Sequence, residues 1–257
     1  MIKAYAKVNW KLKIVGKLDN GYHELDMINV KISLHDSIYI KESQTTKIEY
    51  SNYKISEEED TIYKMVISLK TKFPQLPDLK IYIKNRIPVG FGLGGMSSDA
   101  AAILNYLNDK YNLSMTMEDK ISFIKEFGTD MVYCLYDFPA TVKGIGDIVE
   151  PINFILEKKI IVINPNIYIS TKEMYQDFDS NTSEIVGLIN DFDYIARAKY
   201  PEINDIFDIV SIYTNCIPQL SGTGSAVVIL EHNKKDYKKI KKELKELKVK
   251  RYNIRKG

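Results

Sequence analysis

A cluster of glycines near the middle of the chain restricts the fold more than any other feature of the sequence. The stretch PVGFGLGGMSSDAA, from Pro88 to Ala101, places four glycines within the six residues Gly90–Gly95. Glycine loses more conformational entropy on folding than any other residue, so this density indicates positive φ angles or close approach of another group to the main chain. The serines and the aspartate that follow predict the start of a helix. Because a helix N-terminus offers free N–H groups and the positive end of the helix dipole, the stretch predicts an anion-binding loop.

Two known phosphate-binding patterns fit this stretch incompletely. The P-loop pattern G-x-x-x-x-G-K-[ST] nearly matches residues 90–97, but Met96 takes the place of the lysine that reaches the phosphates. The pattern G-x-G-x-x-G of dinucleotide-binding proteins also matches, but no strand leads directly into it and no βαβ unit follows. A tight turn whose serines only cap the helix is the alternative to anion binding. In the anion-binding interpretation, Ser97 and Ser98 cap the helix or reach a phosphate-bound Mg²⁺.

The composition argues against several other classes of protein. The chain has 257 residues, of which 45% are hydrophobic, and a formal net charge of +2, so no overall positive field attracts nucleic acid. Cys134 and Cys216 lie far apart without metal-ligand spacing, which predicts free thiols. No apolar run approaches the ~18 residues that cross a bilayer, and the N-terminus lacks the apolar run of a signal peptide. We therefore expect a cytoplasmic protein, a monomer or weak dimer, with no membrane or nucleic-acid partner.

The last part of the chain is strongly basic. Residues 234–256 contain twelve Lys or Arg against three acidic residues. Tyr237, Ile240, Leu244 and Leu247 recur at helical spacing, which predicts one packed face with the lysines in solvent opposite it. A nucleic-acid-binding helix is the alternative, and it predicts an affinity that falls steeply with salt.

Strand-like and helix-like segments follow one another without regular alternation, which predicts an α+β fold. Residues 2–17, 27–34, 36–43, 47–55 and 79–85 have the pattern of strands, and residues 61–73, 97–111 and 117–127 that of helices. Further strands are predicted at residues 140–149, 159–165 and 226–230, and further helices at residues 172–178, 183–189, 203–213 and 234–247. The sequence near residues 151–159 predicts a boundary between domains of residues 1–155 and 156–257.

Three motifs, in order along the chain, resemble those of the GHMP kinases. PVGFGLGGMSSDAA is similar to the second motif of that family, KAYAKVN at residues 3–9 to the first, and LSGTGSAVVIL at residues 220–230 to the third. The resemblance covers essentially the whole chain. It implies a two-domain α+β fold, an active site in the cleft between the domains, and ATP-dependent phosphoryl transfer to a hydroxyl group.

Within the family, three shorter motifs narrow the resemblance. NGYHELD at residues 20–26, GTD at residues 128–130 and GIGD at residues 144–147 are most similar to kinases of the non-mevalonate isoprenoid precursor pathway. The acceptor of those kinases is a cytidine diphosphate sugar alcohol. A GHMP kinase of the homoserine or mevalonate type is the alternative.

The resemblance also implies the catalytic and nucleotide-binding residues. Asp130 matches the catalytic aspartate, which takes the proton of the acceptor hydroxyl, and Lys7 matches the catalytic lysine. From the residues alone, Asp130 as a helix cap and Lys7 as an outward residue of a strand stay open. The residues implied for ATP are Pro88, Gly90, Gly92, Leu93, Gly94, Gly95, Ser97 and Ser98. The same match makes Ser98 the candidate Mg²⁺ ligand.

The acceptor site is implied by residues from both ends of the chain. Tyr22 would stack on the cytosine ring and His23 would hydrogen-bond its edge, with Tyr175 as a second aromatic on the base. The remaining substrate contacts implied are Asn9, Thr171, Gly222 and Gly224, and the two glycines would let the second-domain loop close on the site. The alternative for Tyr22 and His23 is a surface loop, and for Tyr175 a place in the core. For Gly222 and Gly224 it is a plain turn before a strand.

One departure from the family pattern concerns charge. Asp99 stands where the family frequently has asparagine. A carboxylate at a helix N-terminus suits the dipole or a Mg²⁺ ion but repels phosphate. Met96 and Phe91 stand where the family more often has small residues.

Overall fold

The computed structural model describes residues 1–153, 159–181, 188–245, 247 and 249–254. The expected domain boundary between residues 155 and 156 lies outside these residues, as does most of the helix predicted at residues 183–189. The described part contains two sheets with helices packed against them, which confirms the α+β class. We call residues 1–153 the N-terminal half and the described residues from 159 onward the C-terminal half.

A long hairpin organises the N-terminal half. β1 (Ile2–Lys17) and β2 (His23–Glu42) pair antiparallel around the predicted turn at residues 19–21. Their nearly alternating buried residues follow the period of two of a sheet with one covered face. The sheet is completed by β3 (Lys47–Tyr50), β4 (Leu79–Lys84), β5 (Ala140–Gly144) and β6 (Ile148–Pro151). The strand order is β3–β4–β2–β5–β6, with β1 beside β2.

Four helices belong to this half: α1 (Thr61–Lys72), α2 (Gly95–Lys110), α3 (Met117–Lys125) and the short α4 (Met131–Cys134). The Asp60 carboxylate caps α1 by accepting from the backbone N–H groups of Ile62 and Tyr63. Ile38 of the sheet, Leu69 of α1 and Leu104 of α2 are fully buried in one cluster. Burying each such side chain contributes about 1.5–3 kcal/mol, so this cluster fixes α2 on the sheet.

The C-terminal half has a four-stranded sheet in the order β10–β7–β9–β8. Its strands are β7 (Lys159–Asn164), β8 (Pro218–Leu220), β9 (Val227–His232) and β10 (Lys250–Ile254). Its helices are α5 (Thr171–Ser180), α6 (Asp193–Lys199), α7 (Pro201–Tyr213) and α8 (Lys234–Glu243).

Buried residues of the two halves meet in a shared cluster. Val8, Val30 and Leu93 of the N-terminal half pack with Val162 and Val228 of the C-terminal half. The start of β1 and the glycine stretch therefore lie where the two sheets join, which is where residues of both halves can form one site.

The predicted strands at residues 27–34 and 36–43 are wrong as separate elements, because β2 runs through both. Asp36, the first residue of the second predicted strand, is buried within β2 and accepts hydrogen bonds from the backbone N–H groups of Arg86 and Ile87. Residues 145–147 of the GIGD motif form the turn between β5 and β6 rather than part of a strand. The short elements α4, α6 and β8 are not predicted from the sequence.

The basic C-terminal segment forms α8, which ends at Glu243 rather than at the predicted residue 247. Ile240 and Leu244 are buried in the core of this half, and Lys235, Lys238 and Lys241 are exposed, which confirms the predicted packed face. None of the helices in the described ranges combines the length and apolarity needed to cross a bilayer.

Candidate active site

The glycine stretch forms a loop with a left-handed backbone at every second residue. Gly90, Gly92 and Gly94 have φ angles of 77°, 74° and 66°, which side chains rarely adopt. Gly94 occupies the N-cap of α2 and no side chain caps this helix. The serines therefore do not cap α2, and its first N–H groups stay available to an anion.

The loop contacts the C-terminal half closely at Gly92. The Ser221 hydroxyl donates to the Gly92 carbonyl at 2.9 Å, and a Cβ built on Gly92 would lie 1.9 Å from the Ser221 carbonyl oxygen. Gly222 lies next to it, since its Cβ would be 3.5 Å from Gly92 Cα and from Asn9 Oδ1. Residues 221–224, predicted to close on the site, therefore pack directly on the glycine loop.

Lys7 extends from β1 along the inner side of this loop. Its backbone N–H donates to the Leu93 carbonyl at 3.0 Å, and its side chain passes Gly94, where a Cβ would come within 3.0 Å of Lys7 Cγ. The Lys7 ammonium donates to Asn9 Oδ1 at 2.5 Å. Burial lowers the pKa of Lys7, although the neighbouring Asp130 acts in the opposite direction. The outward orientation that the sequence left open for Lys7 is thus not adopted.

Asp130 lies across from the start of α2. Ser97 Oγ donates to Asp130 Oδ2 at 2.5 Å, so the first turn of the glycine-loop helix fixes the carboxylate. Asp130 occupies the N-cap position of α4, but its side chain makes no capping hydrogen bond. The residue is exposed, and the space it faces is the cavity between the two halves.

This cavity has a volume of about 810 Å³, within the range typical of small-molecule sites. At one end it is lined by Lys7, Asn9, Gly92, Gly94 and Asp130. At the other end it is lined by Tyr22, His23, Thr171, Tyr175 and Asp179, whereas Gly222 lines it beside Gly92 and Asn9. Residues separated by more than 200 positions in the sequence thus form a single site.

An aromatic wall marks the second end. The rings of His23 and Tyr175 stack with centroids 4.7 Å apart and planes at 25°. Tyr22 beside them is 56% exposed, so its ring is free to cover a flat ligand. Thr171 Oγ1 lies 3.2 Å from Thr223 Oγ1, which ties the start of α5 to the loop at residues 221–224.

Several predicted site residues do not line the cavity. Leu93 is 1% exposed in the core, and Ser98 is 2% exposed with its hydroxyl donating to Cys134 Sγ at 3.5 Å. A Cβ on Gly95 would contact Ile87, and one on Gly224 would contact Leu220 and Ile169, so these glycines serve close packing. Pro88 and Gly90 lie outside the cavity lining, with the exposed Tyr168 against Gly90. Their nucleotide and substrate roles stay predictions.

The sequence missed other cavity residues, among them Asn29, Met27, Ile145 and Asp179. Asn29 lies opposite Asn9 in the β1–β2 register, and Asn9 Nδ2 donates to its side-chain oxygen at 2.8 Å. Asn29 interrupts the apolar alternation of β2, and this is the sequence signal that could have identified it as a site residue. Asp179 follows Tyr175 by four residues on α5, which places both on one helix face.

The comparisons with known proteins agree with this geometry. Residues 60–144 match the family model of the GHMP kinases N terminal domain. The 4-diphosphocytidyl-2-C-methyl-D-erythritol kinase of Persephonella marina is 30% identical over 88% of this chain and 89% of its own length. The enzyme of the same name from Clostridioides difficile is 30% identical over 95% of this chain and 90% of its own.

Solved structures show the same fold. A crystal structure of 4-(cytidine 5'-diphospho)-2C-methyl-D-erythritol kinase has a TM-score of 0.78 at 21% identity, with 99% of both chains covered. The mevalonate kinase of Methanococcus jannaschii has a TM-score of 0.72 at 18% identity, covering 100% of this chain and 98% of its own. Since both identities are low, these two likenesses describe the fold.

The fold and the family match are those of the small-molecule kinases of the GHMP class, as the sequence motifs predicted. Because relatives of 30% identity match nearly the full length, the chain belongs to the 4-diphosphocytidyl-2-C-methyl-D-erythritol kinase family within that class.

Proposed function

We propose that this chain transfers the γ-phosphoryl group of ATP to the 2-hydroxyl of 4-diphosphocytidyl-2-C-methyl-D-erythritol. The observation that carries the proposal is the single cavity that joins Lys7 and Asp130 at one end to Tyr22, His23 and Tyr175 at the other. A sugar-alcohol hydroxyl and a pyrimidine base of one acceptor can occupy these two ends together.

Asp130 is the proposed base. An exposed carboxylate at the cavity can accept the proton of the acceptor hydroxyl as the oxygen attacks phosphorus. The hydrogen bond from Ser97 holds one carboxylate oxygen, which leaves the other available to the acceptor. Lys7 supplies positive charge beside Asp130, and Asn9 holds its ammonium in place.

The glycine loop is the proposed site of the ATP phosphates. Uncapped N–H groups at the start of α2 and the helix dipole favour negative charge there. The positive φ angles at Gly92 and Gly94 keep the main chain close to the catalytic pair without an intervening Cβ. Phosphoryl transfer depends mainly on such positioning and charge stabilisation, so the arrangement suits the proposed reaction.

Mg²⁺ fits this site as a companion of ATP. Kinases bind Mg²⁺ through few protein oxygens together with phosphate oxygens, and the residues described here contain no cluster of three or more His, Cys, Asp or Glu. Ser97 offers a hydroxyl oxygen next to Asp130, whereas the predicted ligand Ser98 has its hydroxyl on Cys134. We therefore favour Ser97 as the protein ligand. When bound, Mg²⁺ neutralises charge on the transferred phosphoryl group.

The decisive experiment measures ADP release by the purified chain with ATP and Mg²⁺. Three acceptors are compared: 4-diphosphocytidyl-2-C-methyl-D-erythritol, mevalonate and homoserine. We expect saturable turnover with the first alone, and its loss in Asp130→Ala. Asp137→Ala is the matched control, because this nearby carboxylate pairs with Lys31 and its side chain is 89% exposed. Turnover with mevalonate or homoserine instead would refute the proposal.

A further inference from the structure

Asp179, near the end of α5, contacts two residues of the β1–β2 hairpin. Its Oδ1 lies 2.7 Å from His23 Nε2, and its Oδ2 accepts from the Lys17 ammonium at 2.6 Å. Both carboxylate oxygens are thus used to connect the C-terminal half to the edge of the cavity. No motif in the sequence singles out Asp179 or Lys17.

The same helix holds the His23 ring from other sides. Tyr175 stacks on it at 4.7 Å, and Phe178 meets it edge-on at 6.1 Å and 88°. Since Tyr175 and Asp179 are four residues apart, α5 fixes both the plane of the imidazole and the direction of Nε2. The His23 side chain is only 8% exposed, so the ring has little freedom to turn.

These contacts also determine which ring nitrogen carries the proton. Hydrogen bonds from Lys17 and then from His23 lower the pKa of Asp179, so its side chain is a carboxylate that can only accept. Nε2 must therefore donate. In a neutral imidazole with its proton on Nε2, the other ring nitrogen is an acceptor.

The other ring nitrogen, Nδ1, is left as an acceptor. Within the part of the chain that the structure describes, no protein group hydrogen-bonds to Nδ1, and it is not among the buried polar atoms that lack a partner. Nδ1 is thus open to the cavity that His23 lines. A lone pair at this position attracts an N–H group and repels a carbonyl oxygen.

We infer that Asp179 is a specificity-determining positioning residue, which fixes His23 with its proton on Nε2 so that Nδ1 selects a 4-aminopyrimidine over a 4-oxopyrimidine. The exocyclic amine of cytosine donates to Nδ1, whereas the corresponding oxygen of uracil meets the lone pair. This inference rests on the proposed function, since it assumes that the acceptor carries a pyrimidine base at this end of the cavity.

Asp179→Asn provides the kinetic test. An asparagine can present either its oxygen or its NH₂ group to Nε2, so His23 becomes free to adopt either tautomer. The measurement is kcat/KM for two acceptors that differ only in cytosine or uracil. We expect the wild-type preference for cytosine to fall about tenfold or more in the variant, through KM rather than kcat, because one hydrogen bond is lost or inverted.

Asp177→Asn is the matched control on the same helix. Asp177 pairs with Lys199 at 2.6 Å away from the cavity, so this variant should keep the wild-type ratio. An unchanged ratio in Asp179→Asn, or a wild-type enzyme that uses both acceptors equally, would overturn the inference.

A direct readout of the proton does not depend on activity. The chain has three histidines, so ¹⁵N NMR of the imidazoles, compared with His23→Gln, assigns the His23 signals in the free protein. We expect a proton on Nε2 and none on Nδ1. If the proton is on Nε2 and neither acceptor is turned over, the proposed function fails while the tautomer assignment stands. A proton on Nδ1 would refute the inference itself.

Discussion

Asp99 lies against Asp36 behind the glycine loop, and each residue is only 1% exposed. Asp36 Oδ1 accepts from the backbone N–H groups of Arg86 and Ile87 at 2.5 and 2.8 Å, just before the loop begins. Burial, and then the charge of Asp36, raise the pKa of Asp99 well above its usual range. The raised pKa favours the protonated form of Asp99, which can donate to Asp36 and would not repel phosphates bound at the glycine loop.

Asp99→Asn should consequently preserve the fold and the kinase activity. The amide donates to Asp36 as the protonated acid does, and it has nearly the same shape. Asp99→Ala removes the donor and should lower the free energy of unfolding by about 1–3 kcal/mol. Urea unfolding at neutral pH measures both effects, with the exposed Asp109→Asn of the same helix as the control. A strongly destabilised Asp99→Asn would mean that Asp99 is ionised.

The sequence predicts those elements whose hydrophobic pattern is long enough to be unambiguous. β1 and α1 follow periods of two and 3.6 residues, and both form close to the predicted bounds. β8 has three residues and α6 has seven, too few to establish a period. The sequence predicts two strands where β2 is continuous, since the hydrogen bonds that hold Asp36 within one strand come from a distant turn and are invisible in the local pattern.

The sequence predicts those parts of the candidate site whose residues lie together in short motifs. The density of glycines predicts the anion loop. The motifs predict that Lys7 and Asp130 share one site, and in the structure both line one cavity. Asp179 depends on how α5 packs on the hairpin, so nothing in its immediate sequence marks it, whereas Asn29 is marked only as an asparagine within the apolar alternation of β2. Ser98 and Gly95 match the family motif, yet helix geometry turns them away from the cavity.

The bond between Ser97 and Asp130 predicts separable kinetic effects. Asp130→Asn removes the proposed base and should lower kcat by about 10²–10⁴-fold. The KM values should change little, because the amide keeps the shape and the contact with Ser97. Ser97→Ala frees the carboxylate to rotate and removes the proposed Mg²⁺ ligand but keeps Asp130, so it should cost less, on the order of tenfold in kcat. Steady-state assays compare the two variants, and a larger loss in Ser97→Ala than in Asp130→Asn would contradict the role of Asp130 as the base.

The contact between the two halves at Gly92 should be intolerant of any side chain. A Cβ there would lie 1.9 Å from the Ser221 carbonyl oxygen, so Gly92→Ala must displace the loop. We expect kcat/KM for ATP to fall by about 100-fold, since phosphoryl transfer is sensitive to small misplacements.

Gly21→Ala is the control for Gly92→Ala, because it introduces backbone strain without a steric clash. Gly21 also has a positive φ, 85°, but a Cβ there would have no neighbour within 4 Å. The Gly21→Ala variant should therefore have a free energy of unfolding lower by about 1–2 kcal/mol, without a comparable loss of kcat/KM for ATP. Equal kinetic losses in the two variants would show that the contact with Ser221 is not what positions the loop.

Asp193, beneath the loop at residues 221–224, makes stability depend on pH. Its Oδ1 accepts from the Leu220 N–H at 2.8 Å, and burial raises the pKa of Asp193 to about 7. The folded chain thus keeps a proton that the unfolded chain releases near pH 4, so the free energy of unfolding falls as the pH rises from about 4 to about 7. The pKa difference of about three units between the folded and the unfolded chain corresponds to about 4 kcal/mol in the free energy of unfolding.

Asp193→Asn should remove this penalty, because the amide oxygen still accepts from Leu220 and carries no charge. The variant should match the wild type near pH 4 and become progressively more stable than it up to pH 7.5, by at most about 4 kcal/mol. Urea unfolding at several pH values provides the measurement, and the exposed Asp205→Asn is the control. A stability difference that is constant over this range would mean that Asp193 releases its proton equally in both states.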